Sequence, residues 1–137
     1  MWLAQKGCLP LILVILALIG VQLPGTHATL TPPPACPTAK ITFTQADGCH
    51  NDDSFEFCLP ANDPAALAAV QAIAPNVECI GSRGRARCNI PDEVLCLVNT
   101  KGMCVERHGA MNDTGWQTVC ELASLPLISK VVPTFYE

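Results

Sequence analysis

Aromatic residues are scarce in this chain, at 5% of 137 residues, and charged residues reach only 15%. Each shortage excludes something. Lys and Arg together number 8 against 12 Asp and Glu, for a formal charge of −4, so the chain lacks the basic surface of an unspecific nucleic-acid binder. Closely paired cysteines are missing, since Cys88 and Cys96 stand eight positions apart and no other pair is nearer. That spacing speaks against a zinc site built on C-x-x-C and against a C-x-x-C redox pair. No G-x-S-x-G elbow occurs, and Gly81-Ser82-Arg83-Gly84 has the wrong order for one. The length leaves no room for a large two-domain enzyme. The 50% of hydrophobic residues argues against global disorder.

The N-terminus carries an address. Lys6 precedes an apolar run from Cys8 to Leu23, Pro24-Gly25 breaks it, and Thr26-His27-Ala28 supplies small residues before a cleavage point at Ala28/Thr29. That order of charged, apolar and small-residue regions is that of a secretory signal peptide over residues 1–28. The rival, an uncleaved anchor, needs about 20 apolar residues, more than this run offers. Cys36 lies too far downstream for a lipoprotein anchor. Residues 29–37, with Pro32-Pro33-Pro34, read as a stiff extended lead. No later segment is apolar and long enough to span a bilayer, so the mature chain is expected to be free of the membrane.

Taking residues 1–28 from the 137 leaves 109, removes Lys6 and Cys8, and so leaves eight of nine cysteines and a charge of −5 in place of −4. The eight are Cys36, Cys49, Cys58, Cys79, Cys88, Cys96, Cys104 and Cys120. An even count behind a signal peptide predicts four disulfides in an oxidising compartment, extracellular or, in a bacterium, periplasmic. The pairing stays open among about 105 possibilities. Large apolar side chains are thin in this mature part, and bridges contribute about 2–4 kcal/mol each, on the scale of a small domain's whole net stability.

Periodicity predicts the elements. Ala39–Gln45 alternates as a strand, and Ser54–Leu59 alternates again with Phe55, Phe57 and Leu59 on one face. Asn62 or Asp63 caps a helix over Ala65–Ala74 that starts at Pro64 and ends at Pro75. Val77–Ile80 and Arg85–Ile90 read as a hairpin around Gly81–Gly84, and Val94–Val98 with Met103–Arg107 as another around Asn99–Gly102. A second helix opens at Asn112-Asp113-Thr114 and stops at Pro126, before a strand over Leu127–Val132. The repeated order of strand, Asn-Asp cap, helix, proline and strand predicts a small disulfide-rich α+β domain over residues 38–132. Its sheet would be mainly antiparallel with two helices, in the split βαβ arrangement of ferredoxin-like folds, followed by a tail at 133–137.

Four places stand out as candidate sites. The acidic loop Asp47–Glu56 around His50 fails the calcium-loop pattern, because Cys49, Asp52 and Cys58 fall where ligands or glycine belong. It reads as a solvated loop pinned by Cys49. His108 follows Glu106 and Arg107, and catalysis there would require a partner brought close by the fold. Arg83, Arg85 and Arg87 would share one strand face, either as an anion-binding patch for carboxylate, phosphate or sulfated glycan or, more plainly, as charges that guard a sheet edge. Asn112-Asp113-Thr114 is an N-glycosylation sequon that doubles as a helix cap.

The end of the chain, Leu122-Ala123-Ser124-Leu125-Pro126-Leu127-Ile128-Ser129-Lys130-Val131-Val132-Pro133, resembles the last helix and strand of subtilisin-propeptide-type inhibitors. That resemblance implies a ferredoxin-like fold and a C-terminal tail, here Val132–Glu137, directed into a protease cleft. The expectation from the residues themselves is a secreted binding or interaction module without catalysis, cofactor or metal. Its partner would be a protein or an anionic glycan. A protease inhibitor acting through its tail, and a small hydrolase using His50 or His108, are the alternatives.

Overall fold

A computed structural model describes residues 35–136. The expected signal peptide over residues 1–28, residues 29–34 of the expected proline lead and Glu137 lie outside the described residues.

Six elements follow in order: β1 (Ser54–Pro60), α1 (Pro64–Ile73), β2 (Val77–Ile80), β3 (Glu93–Asn99), α2 (Asp113–Ser124) and β4 (Val131–Pro133). Both helices start where short-range chemistry dictates. The Asp63 carboxylate accepts from Ala66 N at 2.9 Å with Pro64 in the first turn, and the Asn112 side-chain oxygen accepts from Gly115 N at 2.8 Å. Each interaction satisfies an amide that the first helical turn leaves orphaned. Pro75 follows the first helix and Pro126 the second, where a missing N–H forbids continuation.

The strands form one sheet in the order β2-β3-β1-β4, with every neighbouring pair antiparallel. β1 and β2 both oppose β3, so they run parallel to each other with β3 inserted between them. The same relation holds for β3 and β4 around β1. This is the split β-α-β connectivity expected from the sequence. Both helices lie on one face, where Val70 of α1, Ala74 just past its end, and Val119 and Leu122 of α2 pack with Phe55, Phe57, Leu59 and Val98. Burying side chains of this size contributes about 1.5–3 kcal/mol each.

Four disulfides lock the arrangement. Cys36–Cys120 ties the chain's entry to α2, Cys49–Cys104 joins two loops, Cys79–Cys96 links directly opposed residues of β2 and β3, and Cys58–Cys88 pins a loop to β1.

Three expected strands are corrected. Residues 39–45 form no strand: 3₁₀ turns at Thr38–Lys40 and Gln45–Asp47 flank Ile41, which makes one bridge to Val131. Thr44 donates to the Asp47 carboxylate from its N–H at 2.6 Å and its hydroxyl at 2.8 Å, a local bond that competes with strand pairing. Ile41 is still buried, and the Phe43 ring still meets Phe55 and Trp116 at 6.4 and 6.1 Å between centroids.

Residues 85–90 are a loop as well, because Cys88 is drawn to Cys58 and β2 pairs with β3 instead. Around Cys104 only the bridge to Met111 forms, with Cys49 holding Cys104 from the other side. The last strand is shorter and lies later than expected. It runs through Pro133, and Thr134 N continues the pairing by donating to Ser54 O at 3.0 Å.

Candidate functional site

The sheet's second face has no helix on it among the described residues. A period of two places Glu78, Leu97, Glu56 and Val132 side by side across the four strands, with Ile80, Leu95 and Cys58 in the next row. Yet both faces of β1 are buried. The cover is the connection between β2 and β3, residues 81–92, far longer than the 2–5 residues of an ordinary hairpin loop. It folds back so that Ala86 and Cys88 bury against Cys58, Leu95 and Val132.

Glu56 holds this cover down. Its carboxylate is 2% exposed and accepts from Ala86 N at 2.7 Å through Oε1 and from the Thr134 hydroxyl at 3.3 Å through Oε2. A buried carboxylate is tolerated only where such bonds replace water. These two come from the loop on one side and the C-terminal segment on the other. Gly84 sits directly above, in the left-handed region at φ +52°, which L-residues avoid and glycine tolerates. Arg87 also adopts positive φ, at 62°.

The C-terminal segment forms the opposite wall. Arg85 Nε donates to Phe135 O at 3.3 Å while its guanidinium lies 5.1 Å from the Phe135 ring centre, within cation–π range. Tyr136 N donates to the Asp52 carboxylate at 2.6 Å. Phe135, Tyr136 and Ile80 remain 42%, 69% and 51% exposed.

Between loop, tail and edge strand lie two adjoining cavities that share Ile80, Leu97 and Tyr136. The larger, about 530 Å³, has Arg85 and Arg87 on its rim and Glu56 in its floor. The smaller, about 330 Å³, is lined by Asp52, Asp53, Ser54 and Glu78. Together they make a groove that is basic at one end, acidic at the other and apolar in between.

The structure sorts the expected site residues. Arg83, Arg85 and Arg87 are exposed but share no strand face, and Arg83 does not line the groove. Cys49–Cys104 and the bond from Cys49 N to Gly109 O at 3.1 Å bring the loops of His50 and His108 together. Both imidazoles are exposed, and neither makes a hydrogen bond among the described residues. Hydrogen bonds from Thr44, backbone first, hold the neighbouring Asp47 carboxyl below the usual carboxylate range.

Asn112 caps α2 and uses its amide nitrogen to donate to Gly102 O at 2.9 Å. Of the described part of the expected inhibitory tail, residues 132–134 are laid along β1, and Phe135 and Tyr136 are exposed beyond them. Cys58, Cys88 and Glu93 place ligand atoms within 4.8 Å of one another, but the two sulfurs are bonded to each other and offer no thiolate to a metal.

Sequence reasoning placed Glu56 at the end of a solvated acidic loop, whereas it is a buried residue of β1, and it missed the roles of Gly84 and of the wall formed by the tail. Glu56 between Phe55 and Phe57 was legible as an outward-facing strand residue, but nothing local marks residues 81–92 as the element that buries it.

The chain is thus a disulfide-rich α+β domain in which a loop and a tail frame one sheet face. No protein-family model matches it, and it matches no curated protein and no solved structure. Among the described residues no helix is long and apolar enough to cross a membrane.

Proposed function

We propose that the chain is a secreted binding module that acts without catalysis and takes an extended segment of a partner protein in the outer-face groove. The observation that carries this reading is Ile80, Phe135 and Tyr136 standing exposed around Leu97, on a surface held rigid by the Cys58–Cys88 bridge and the Glu56 hydrogen bonds. Grouped exposed apolar side chains with a polar rim mark interaction sites, and preorganisation lowers the ordering cost of binding. The two ends of the groove carry opposite charge, which favours a segment with an apolar residue flanked by complementary charges over a uniformly anionic glycan. The signal-peptide pattern and the four bridges support release into an oxidising compartment, extracellular or periplasmic.

Site-specific photo-crosslinking tests the reading. A photoreactive residue at position 80 in the secreted protein is expected to give one discrete protein adduct, while the same residue at exposed position 72 on α1 gives none. Equal labelling at both positions, or labelling at 72 alone or at neither, would overturn it.

A further inference from the structure

We infer that the bound segment is held as a fifth strand, added antiparallel to the open edge of β2, with a Lys or Arg at its position opposite Glu78. This rests on the groove being the recognition surface and names how its occupant is held.

The two edges of the sheet differ. Beside β4 the chain covers its own edge, with Thr42 N donating to Val131 O at 3.1 Å and Ile41 bridging to Val131. Among the described residues nothing pairs with the outer side of β2. Cys79 and Cys96 are directly opposed with α-carbons 4.0 Å apart, the spacing of a pair that exchanges no main-chain hydrogen bonds. Glu78 and Ile80 therefore turn their N–H and C=O toward β3, and Val77 and Cys79 turn theirs outward. The Val77 N–H follows this direction, donating back to Ala74 O at 3.1 Å. The Val77 C=O and both main-chain groups of Cys79 have no such partner among the described residues. Natural edges are blunted by lysine, proline or a bulge, and β2, Val-Glu-Cys-Ile in unbroken register with β3, carries none of these.

An antiparallel strand uses all of these groups and continues the pairing of the whole sheet. Its residue opposite Cys79 exchanges two hydrogen bonds with it, and its residue opposite Val77 donates to the remaining carbonyl. The residue between them falls opposite Glu78 on the outer face, in a closely spaced pair. Glu78 is exposed and lines the smaller cavity together with Asp52 and Asp53, where no Lys, Arg or His stands, so a cation is the complementary side chain. The residue opposite the exposed Ile80 is apolar for the same reason of matching. Val77 and Cys79 face the helix side, half-buried against the core, and β-branched residues suit the positions opposite them. From its N-terminus the segment thus reads apolar, β-branched, basic, β-branched.

The test titrates the oxidised, isotope-labelled protein with the acetylated, amidated peptide Ser-Leu-Val-Lys-Val-Ser and reads amide hydrogen exchange by NMR. With millimolar peptide, exchange at the Cys79 amide is expected to slow about tenfold, while the Glu78 amide, already turned to β3, changes little. The same peptide N-methylated at its first valine, the residue opposite Cys79, should not bind. In Glu78→Lys the affinity should fall several-fold and be restored by a peptide with glutamate in place of lysine, with unchanged spectra elsewhere showing that the variant is folded. Unaltered exchange at Cys79, equal binding of the N-methylated peptide, or an unaltered charge preference in Glu78→Lys would overturn the inference. An adduct at position 80 without protection of Cys79 would leave the groove standing and remove only the edge pairing.

Discussion

A methyl group added to Gly84 would lie 2.6 Å from Oε1 of Glu56 and equally close to the Leu95 methyls. The loop therefore approaches the sheet as closely as backbone can, and the buried carboxylate and the glycine specify each other. Gly84→Ala meets both this contact and a positive φ, so a loss of about 1–3 kcal/mol is expected. Urea unfolding should show a lower midpoint with an unchanged slope.

Glu56→Gln and Glu56→Ala separate the roles of this carboxylate. The amide keeps an acceptor for Ala86 N and should cost about 1 kcal/mol, whereas alanine leaves a buried N–H unpaired and should cost about 2–3 kcal/mol. Hydrogen exchange at the Ala86 amide should be accelerated strongly only in the alanine variant.

Removing the outer bridge with Cys58→Ala and Cys88→Ala together should cost about 2–4 kcal/mol and free residues 81–92 from the sheet. Trypsin digestion under native conditions checks the second effect. Cleavage after Arg83, Arg85 and Arg87 is expected to accelerate at least tenfold over the parent protein, on the order of the lost constraint.

Asp47 titrates below its ordinary value because Thr44 donates to it twice. A carboxyl whose folded pKa is depressed adds stability that is present above its unfolded pKa and lost as pH falls through the folded one. Stability of the parent protein should therefore drop more steeply below about pH 4 than that of Asp47→Asn. Urea midpoints measured between pH 5 and pH 2 give the comparison.

Asn112 invites a pair of variants. Asn112→Ala removes the cap on α2 and should cost about 1 kcal/mol. Thr114→Ala destroys the sequon but leaves the cap, and should change stability by less than about 0.5 kcal/mol. Thermal unfolding of material from a non-glycosylating host separates the two.

Part of the short-range chemistry was legible in the chain, the Thr44–Asp47 turn being the local feature that was not. Asp63 and Asn112 announce their helices because an N-cap bond spans three residues, and Pro75 and Pro126 follow their ends because a missing N–H acts locally. The alternation of Phe55, Phe57 and Leu59 declares one buried face, and eight cysteines behind a signal-peptide pattern declare four bridges. Tertiary structure alone decided which cysteines meet, since a bridge between Cys58 and Cys88 requires their α-carbons to come within 5.4 Å. It also decided that Arg85–Ile90 leaves the sheet and that β3 takes its place beside β2. The groove belongs to the same category. Its walls come from residues 52–54 and 56, 78 and 80, 84, 85 and 87, 97 and 134–136, among others, which only the packing of the entire sheet brings together, because strand pairing and bridge choice depend on distances that no local pattern encodes.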